Sequence, residues 1–157
     1  MLNITAGTDL VRKAFKIAYG VHKDQKDKAG MPYILHVLHV ASNVGEDERY
    51  IAAALLHDTV EESDMTFDDL REAGIPEDVL DALILLTHKS DVPYLEYVKE
   101  VKKNDIARAV KLADLDHNMD IRRLLGIGYV FSDSDYERME QYKEAEKLLR
   151  IIRKRYE

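Results

Sequence analysis

His57 and Asp58 stand side by side at the end of an apolar run, Ile51 to Leu56, and two carboxylates follow at Glu61 and Glu62. Positions i and i+4 share a helix face, so this spacing lets His57 and Glu61 point into one site, and Asp58 and Glu62 likewise. A neutral imidazole nitrogen beside a carboxylate oxygen suits a divalent metal ion. Glutamates close by would then handle the protons of an activated water. Taken alone, the pair fits a second description at least as well: a histidine satisfied by its neighbouring aspartate at a helix end, followed by a solvated acidic loop.

Other residues add to the set. His36 and His39 are three apart among Val, Leu and Ile, so they share a face and at least one is half-buried. Lys111, Asp114 and Asn118 fall at i, i+3 and i+7, one polar stripe on an otherwise apolar helix. An aspartate embedded in Val-Lys-Leu-Ala-Asp-Leu is costly to bury without a cation or a metal.

The elements that must position these groups are helical. Thr8 caps a helix carrying Leu10, Val11, Ala14, Phe15, Ile17, Ala18 and Val21 inward and ending near His22. A charged loop, Lys23 to Gly30, holds Lys26 and Lys28 and turns at Gly30-Met-Pro32. Pro32 opens a second helix bearing His36 and His39, which Gly45 ends, and Asp47 caps the helix that runs into His57. Thr66-Phe-Asp-Asp69 reads as a capping box. Helices follow over Glu77 to Thr87, from Tyr94 to Val101, and after the cap Asn104. A loop over Gly126 to Asp135 leads to a last helix starting at Ser134. Its Met139, Tyr142, Ala145, Leu148, Leu149 and Ile152 recur at helical spacing, and its basic end, Arg150 to Arg155, suits the helix dipole. No run alternates with period two, so the expected fold is all-α, a single compact bundle of about seven or eight helices within one domain, 1–157.

A length of 157 residues with 46% hydrophobic and 34% charged side chains suits one globular domain with its own core. The absence of cysteine excludes disulfides and thiolate metal sites and accords with a cytoplasmic location. No signal peptide and no membrane span is expected. The net charge of −7 argues against nucleic-acid binding but leaves room for a small anionic substrate held by a metal and local lysines. A homodimer is compatible with all of this.

His36, His57, Asp58 and Asp114 together form an N/O donor set suited to Mn²⁺, Fe²⁺ or Zn²⁺, with positions left for water. This H…HD…D order resembles the signature of the HD-domain metal-dependent phosphohydrolases. Asp27-Lys-Ala-Gly-Met-Pro-Tyr-Ile-Leu-His36, Ala53-Ala-Leu-Leu-His-Asp-Thr-Val-Glu-Glu62 and Val110-Lys-Leu-Ala-Asp-Leu-Asp-His-Asn118 are similar to motifs of one subfamily. That subfamily is the hydrolase half of the RelA/SpoT enzymes and their small stand-alone relatives, the alarmone hydrolases. The resemblance runs from about Leu10 into the final helix. It implies Mn²⁺-dependent removal of pyrophosphate from the 3′ position of (p)ppGpp, a small phosphorylated nucleotide; the alternatives are hydrolysis of another nucleotide or phosphoester at the same site, or a non-catalytic nucleotide or metal sensor on the HD scaffold.

By the same resemblance the metal ligands are His36, His57, Asp58 and Asp114. Glu61 matches the catalytic glutamate, and Glu62 stands beside it where the family usually has aspartate. Asn118 matches a nucleoside-binding asparagine. Tyr33 lies in the Pro-Tyr-Ile motif, Lys111 in the Lys-Leu-Ala-Asp run, and Tyr142 where a tyrosine packs on the nucleotide; a plain core tyrosine fits that last position equally. The loop before His36 is shorter than in the best-known members and lacks their paired arginines. Lys26 and Lys28 are the available cations, point charges without an arginine's planar grip. His117 replaces the family's usual aromatic or other large side chain.

Overall fold

The computed structural model describes residues 8–151, and over these the chain is helical throughout, with no strand. Nine helices are present among the described residues: α1 (Asp9–His22), α2 (Ile34–Ser42), α3 (Glu48–Leu56), α4 (Phe67–Glu72), α5 (Glu77–Leu86), α6 (Tyr94–Lys102), α7 (Asp105–Asn118), α8 (Arg122–Leu125) and α9 (Asp133–Arg150). The sequence predicts about seven or eight; the extra one is α8, a single turn of four residues just before the loop that begins at Gly126.

The caps are chemically explicit. The Thr8 hydroxyl accepts from the Val11 N–H, the Asp47 carboxylate from Arg49 and the Asn104 side chain from Ala107. Each satisfies a backbone donor that the helix itself leaves unpaired. Thr66 and Asp69 form the capping box that their spacing predicts. The start of α9 differs from expectation. Ser132, not Ser134, is its cap, because Asp135 closes a capping box on Ser132 and also holds Lys28 and Tyr129. Ser134 with Glu137 has the same local pattern, so tertiary partners decide the start. Ile152 and the basic positions beyond it lie outside the described residues.

Helix α3 is the centre of the bundle. Its residues from Ile51 to Leu56 are all buried, an all-round apolar surface that only a central helix can satisfy. It packs against α1, α2, α5 and α7, and α9 closes the far side against α6 and α7. Val11, Ala14 and Ala18 turn inward from α1 as predicted, whereas Phe15 faces outward and stacks on Tyr19. Ile84 of α5 is likewise exposed. Both lie on the edge of an apolar stripe wider than the neighbouring helices cover.

Between α1 and α2 the loop folds back on itself. Gly30 adopts φ 79°, the left-handed region open to glycine, and an isolated antiparallel bridge pairs Lys26 with Pro32. The Gln25 carbonyl accepts from the Tyr33 N–H at 2.8 Å, so Tyr33 is the N-cap of α2 and the helix starts at Ile34 rather than at Pro32. No helix among the described residues is long and apolar enough to cross a membrane.

Candidate metal centre and the cavities beside it

Three central helices deliver the chemistry to one point: α2 brings His36, the end of α3 brings His57 with Asp58, and α7 brings Asp114. His36, His57 and Asp114 are all buried and place one donor atom each within 4.8 Å of the others, an arrangement that can hold a metal ion. His36 Nε2 is 3.1 Å from Asp114 Oδ1, and His57 Nε2 is 3.7 Å from the same oxygen. Asp58 Oδ2 lies 3.0 Å from His57 Nε2 and 3.9 Å from His36 Nε2. Asp58 is fixed in turn by the Tyr33 hydroxyl, which donates to Oδ2 at 2.5 Å.

The tautomer of His57 tests whether a metal fits. Its Nδ1 lies 2.6 Å from the Ala54 carbonyl, which only accepts, so Nδ1 carries the proton. In the neutral ring Nε2 then presents a lone pair to the carboxylates of Asp58 and Asp114. That buried nitrogen has no hydrogen-bond partner. Nitrogen and oxygen lone pairs converging in a buried space require a cation between them, and the donors suit a divalent ion. Burial disfavours the imidazolium, yet the Asp58 and Asp114 carboxylates outweigh it and raise the His57 pKa well above the ordinary value. The same convergence of negative charge that favours a proton there favours a metal.

The supports of the two histidines differ. A ring nitrogen turned away from a metal usually donates to a carbonyl, carboxylate or water, which fixes the tautomer. His57 uses the Ala54 carbonyl. His36 uses a second imidazole: its Nδ1 is 2.6 Å from His117 Nδ1, and His117 stacks on His39 with ring centroids 4.2 Å apart. For His36 Nε2 to present a lone pair, Nδ1 must donate to His117. The sequence gives no sign of that role for His117, since α7 brings it to His36 only through the packing of two helices.

Asp114 is held by two donors of its own helix. Lys111 Nζ donates to Oδ2 at 3.0 Å, and Asn118 donates to Oδ1 at 3.0 Å. Burial pushes the Asp114 pKa up, but Lys111, His36 and His57 hold it well below the usual carboxylate range. Lys111 is itself enclosed, its ammonium 5.7 Å from the ring centre of Tyr94 and 5.4 Å from that of Tyr97. Burial opposes its charge, and Asp114 more than restores it. The spacing of Lys111, Asp114 and Asn118 was legible as a stripe; the tyrosine cage over Lys111 comes from α6 and was not.

Two cavities flank the centre. One of about 160 Å³ is lined by His57, Asp58, Glu61, His88, Lys111 and Asp114. Glu61 therefore shares a cavity with His57, although α3 stops at Leu56 and the pair lies on successive turns rather than a helix face. Glu61 Oε1 accepts from the His88 N–H at 2.9 Å. Protein atoms crowding its carboxylate, with the Asp58 charge, raise the Glu61 pKa against the opposing His88 N–H. Glu62 points elsewhere: it lines neither cavity, and its Oε2 accepts from Gln25 Nε2 at 3.1 Å.

The second cavity, of about 200 Å³, collects Lys26, Lys28, Tyr33, His36, Asn118 and Tyr142, all drawn from the expected set. Tyr142 lines both cavities. Phe131, from the loop before α9, and Arg138, from α9 itself, join this wall without any earlier signal. Lys28 reaches Asp135 at 3.2 Å and sits over the Tyr129 ring, so its charge is already engaged by the start of α9. Lys26 is exposed at the rim.

The HD domain family matches residues 14–125, a span that contains His36, His57, Asp58 and Asp114. The chain belongs to the HD domain family. Its relatives include a GTP pyrophosphokinase of Myxococcus xanthus, 35% identical over 127 residues that make up 71% of this chain and 17% of that protein. A probable guanosine-3′,5′-bis(diphosphate) 3′-pyrophosphohydrolase of Synechocystis is 35% identical over 129 residues, 73% of this chain and 17% of that protein. An Aquifex aeolicus protein named guanosine-3′,5′-bis(diphosphate) 3′-pyrophosphohydrolase is 43% identical over 65 residues, 40% of this chain and 9% of that one. The chain thus spans less than a fifth of these relatives. A solved structure of a metazoan ortholog of SpoT, described as hydrolysing ppGpp, superposes with a TM-score of 0.73 at 25% identity, covering 93% of this chain and 88% of the other. The HD fold and the kinship to RelA/SpoT hydrolase domains follow from these matches and from the all-helical architecture.

Proposed function

We propose that the chain is a metal-dependent phosphohydrolase that removes pyrophosphate from the 3′ position of guanosine-3′,5′-bis(diphosphate). The observation that carries the reading is the buried His57 Nε2, unpartnered and facing Asp58 and Asp114 between two cavities. His36, His57, Asp58 and Asp114 would hold one divalent ion, Mn²⁺ in this reading. When bound, such an ion supplies Lewis acidity toward a phosphoryl oxygen and an activated water.

The chain's own residues do the rest. Glu61, its Oε1 tied to the His88 N–H, has its second oxygen left to orient the attacking water and take its proton. Glu62, exposed beside Glu61 and outside both cavities, would pass that proton on to solvent rather than touch the water itself. Lys111 anchors Asp114 and adds positive charge to the smaller cavity, where phosphoryl transfer gains mainly from positioning and electrostatics. Asn118, Tyr33, Tyr142, Lys26 and Lys28 would form the nucleotide side in the larger cavity. The names of the relatives and of the superposed structure support ppGpp as the nucleotide.

The reading treats 1–157 as one domain, because α1, where the family match begins, and α9, beyond its end, pack on α3 and on α6 and α7. The net charge of −7 favours a small nucleotide over a nucleic acid as ligand, and the lack of cysteine accords with the cytoplasm. Whether the chain pairs as a homodimer is read from sedimentation of the loaded protein.

The test is pyrophosphate release from ppGpp by Mn²⁺-loaded protein against a chelator-treated control. Metal-dependent release supports the reading. Metal binding without release from ppGpp, but with turnover of nucleoside monophosphates, would overturn the substrate and keep the site.

A further inference from the structure

Gln25 lies in the loop between α1 and α2, and its side chain joins the end of α1 to the carboxylate pair that follows His57 and Asp58. Its Nε2 donates to Glu62 Oε2 at 3.1 Å, across 37 residues of sequence. Its Oε1 is 2.7 Å from Nδ1 of His22. A carboxylate only accepts, so the amide nitrogen must face Glu62, and the amide oxygen then faces His22 and accepts the Nδ1 proton. The amide therefore has one favourable orientation. Its anchor, His22, is fully buried at the end of α1, the helix packed against α3.

The Gln25 backbone is tied to the same frame. Its N–H donates to the His22 carbonyl at 3.1 Å, and its carbonyl accepts from the Tyr33 N–H at 2.8 Å. The Tyr33 ring lies between His22 and His36, with centroids 5.1 and 5.3 Å away, and its hydroxyl donates to Asp58. The backbone thus frames Asp58 through Tyr33, while the side chain takes Glu62.

We propose that the Gln25 side chain is a positioning residue for Glu62, clamped on His22 so that its amide holds the longer carboxylate beside the HD turn. A glutamate at this position has one more rotatable bond than an aspartate and is solvent-exposed here. Without a donor it samples several rotamers, and a fixed amide selects one. Gln25 also lines the larger cavity, so a direct substrate contact is the competing role; in this proposal it acts through Glu62 and is not itself assigned to proton transfer. This inference rests on the proposed phosphohydrolase reading for its kinetic consequence, but not for the contact itself.

The experiment uses the full chain with Gln25→Met, Gln25→Ala, Glu62→Gln and the double variant Gln25→Met/Glu62→Gln. Gln25→Met keeps the stem and removes only the polar groups, which guards against collapse of the loop in Gln25→Ala. With Mn²⁺-loaded protein and ppGpp, Gln25→Met is expected to lower kcat about tenfold with KM within about twofold. In the Glu62→Gln background the same change should alter kcat by less than about twofold, the signature of residues that act as a unit. Equal losses in both backgrounds, or a loss carried by KM, would overturn the proposal and make Gln25 a direct substrate contact or a purely structural residue. The second readout needs no turnover. The sequence has two glutamines, Gln25 and Gln141, among four asparagines, so the Gln25 and Gln141 side-chain amide signals in a ¹H–¹⁵N spectrum are each assigned by loss on substitution of that residue. Glu62→Ala should move the Gln25 pair and leave the Gln141 pair in place. If the Gln25 pair does not move, the contact is absent, whatever the enzyme hydrolyses; if it moves in a protein inert toward ppGpp, the fault lies with the substrate.

Discussion

At the scale of single residues, the two imidazoles of the centre are held by different means, and this separates their predicted sensitivities. His57 leans on the Ala54 carbonyl, which no side-chain substitution removes. His36 leans on His117, and His117→Phe deletes that acceptor while restoring the aromatic type that resembles the family pattern. Loss of such a support costs metal affinity on the order of 10–100-fold. Calorimetric titration of His117→Phe with Mn²⁺ should show weakening of that size with helical content unchanged; affinity equal to wild type would mean that His36 needs no acceptor. His57→Ala and Asp58→Ala should abolish metal retention and turnover together, checked by metal content after gel filtration. Glu61→Gln is a different case, because its carboxylate hangs on His88 rather than on the donor cluster. It should keep the metal and lose about 10²–10⁴ in kcat, the usual worth of a general base; near-normal turnover would remove Glu61 from the role.

At the scale of elements, the start of α9 decides the shape of the larger cavity, since Arg138, Met139 and Tyr142 line it from this helix. Ser132 and Asp135 close the capping box, and Lys28 ties that box to the loop before α2. Ser132→Ala should cost about 1 kcal/mol, seen as a Tm lower by about 2–4 °C for a chain of this size. Asp135 adds a pH dependence. The Ser132 N–H and hydroxyl, with Tyr129 and Lys28, hold its pKa well below the usual carboxylate range. A depressed carboxyl contributes stability that is complete above its unfolded value, about 3.9, and is lost as pH falls from there toward the folded value. The Tm gap between wild type and Asp135→Asn should therefore be constant through neutral and mildly acidic pH and shrink only in stronger acid. A gap that is constant down to the acid limit would mean that Asp135 carries no such linkage.

At the scale of the whole molecule, what the sequence made legible and what it hid divide along one physical line. Helix positions and most caps follow from local spacing, and α3 announces its central place by being apolar on every side; spacing left His36 and His39 equivalent, and only the resemblance to the H…HD…D order singled out His36. Hidden were the contacts made only by bringing distant elements together: His36 with His117, Gln25 with Glu62, Lys28 with Asp135, and the α6 tyrosines over Lys111. Local pattern also misplaced the start of α9, where two serines offer equivalent boxes and only Lys28 and Tyr129 favour the first. The donor cluster is itself such a meeting, because α2, the end of α3 and α7 supply one group each or more. A metal there links three central helices that pack on one another, so its binding energy is also folding energy. At a free concentration about 100 times its Kd, an ion that binds only the folded state adds about 2.7 kcal/mol. Mn²⁺ should raise the Tm of wild type, a chelator should reverse the gain, and His57→Ala should show neither response. A wild-type Tm indifferent to both would mean that the converging donors hold a proton rather than a metal, and the hydrolase reading would lose its centre.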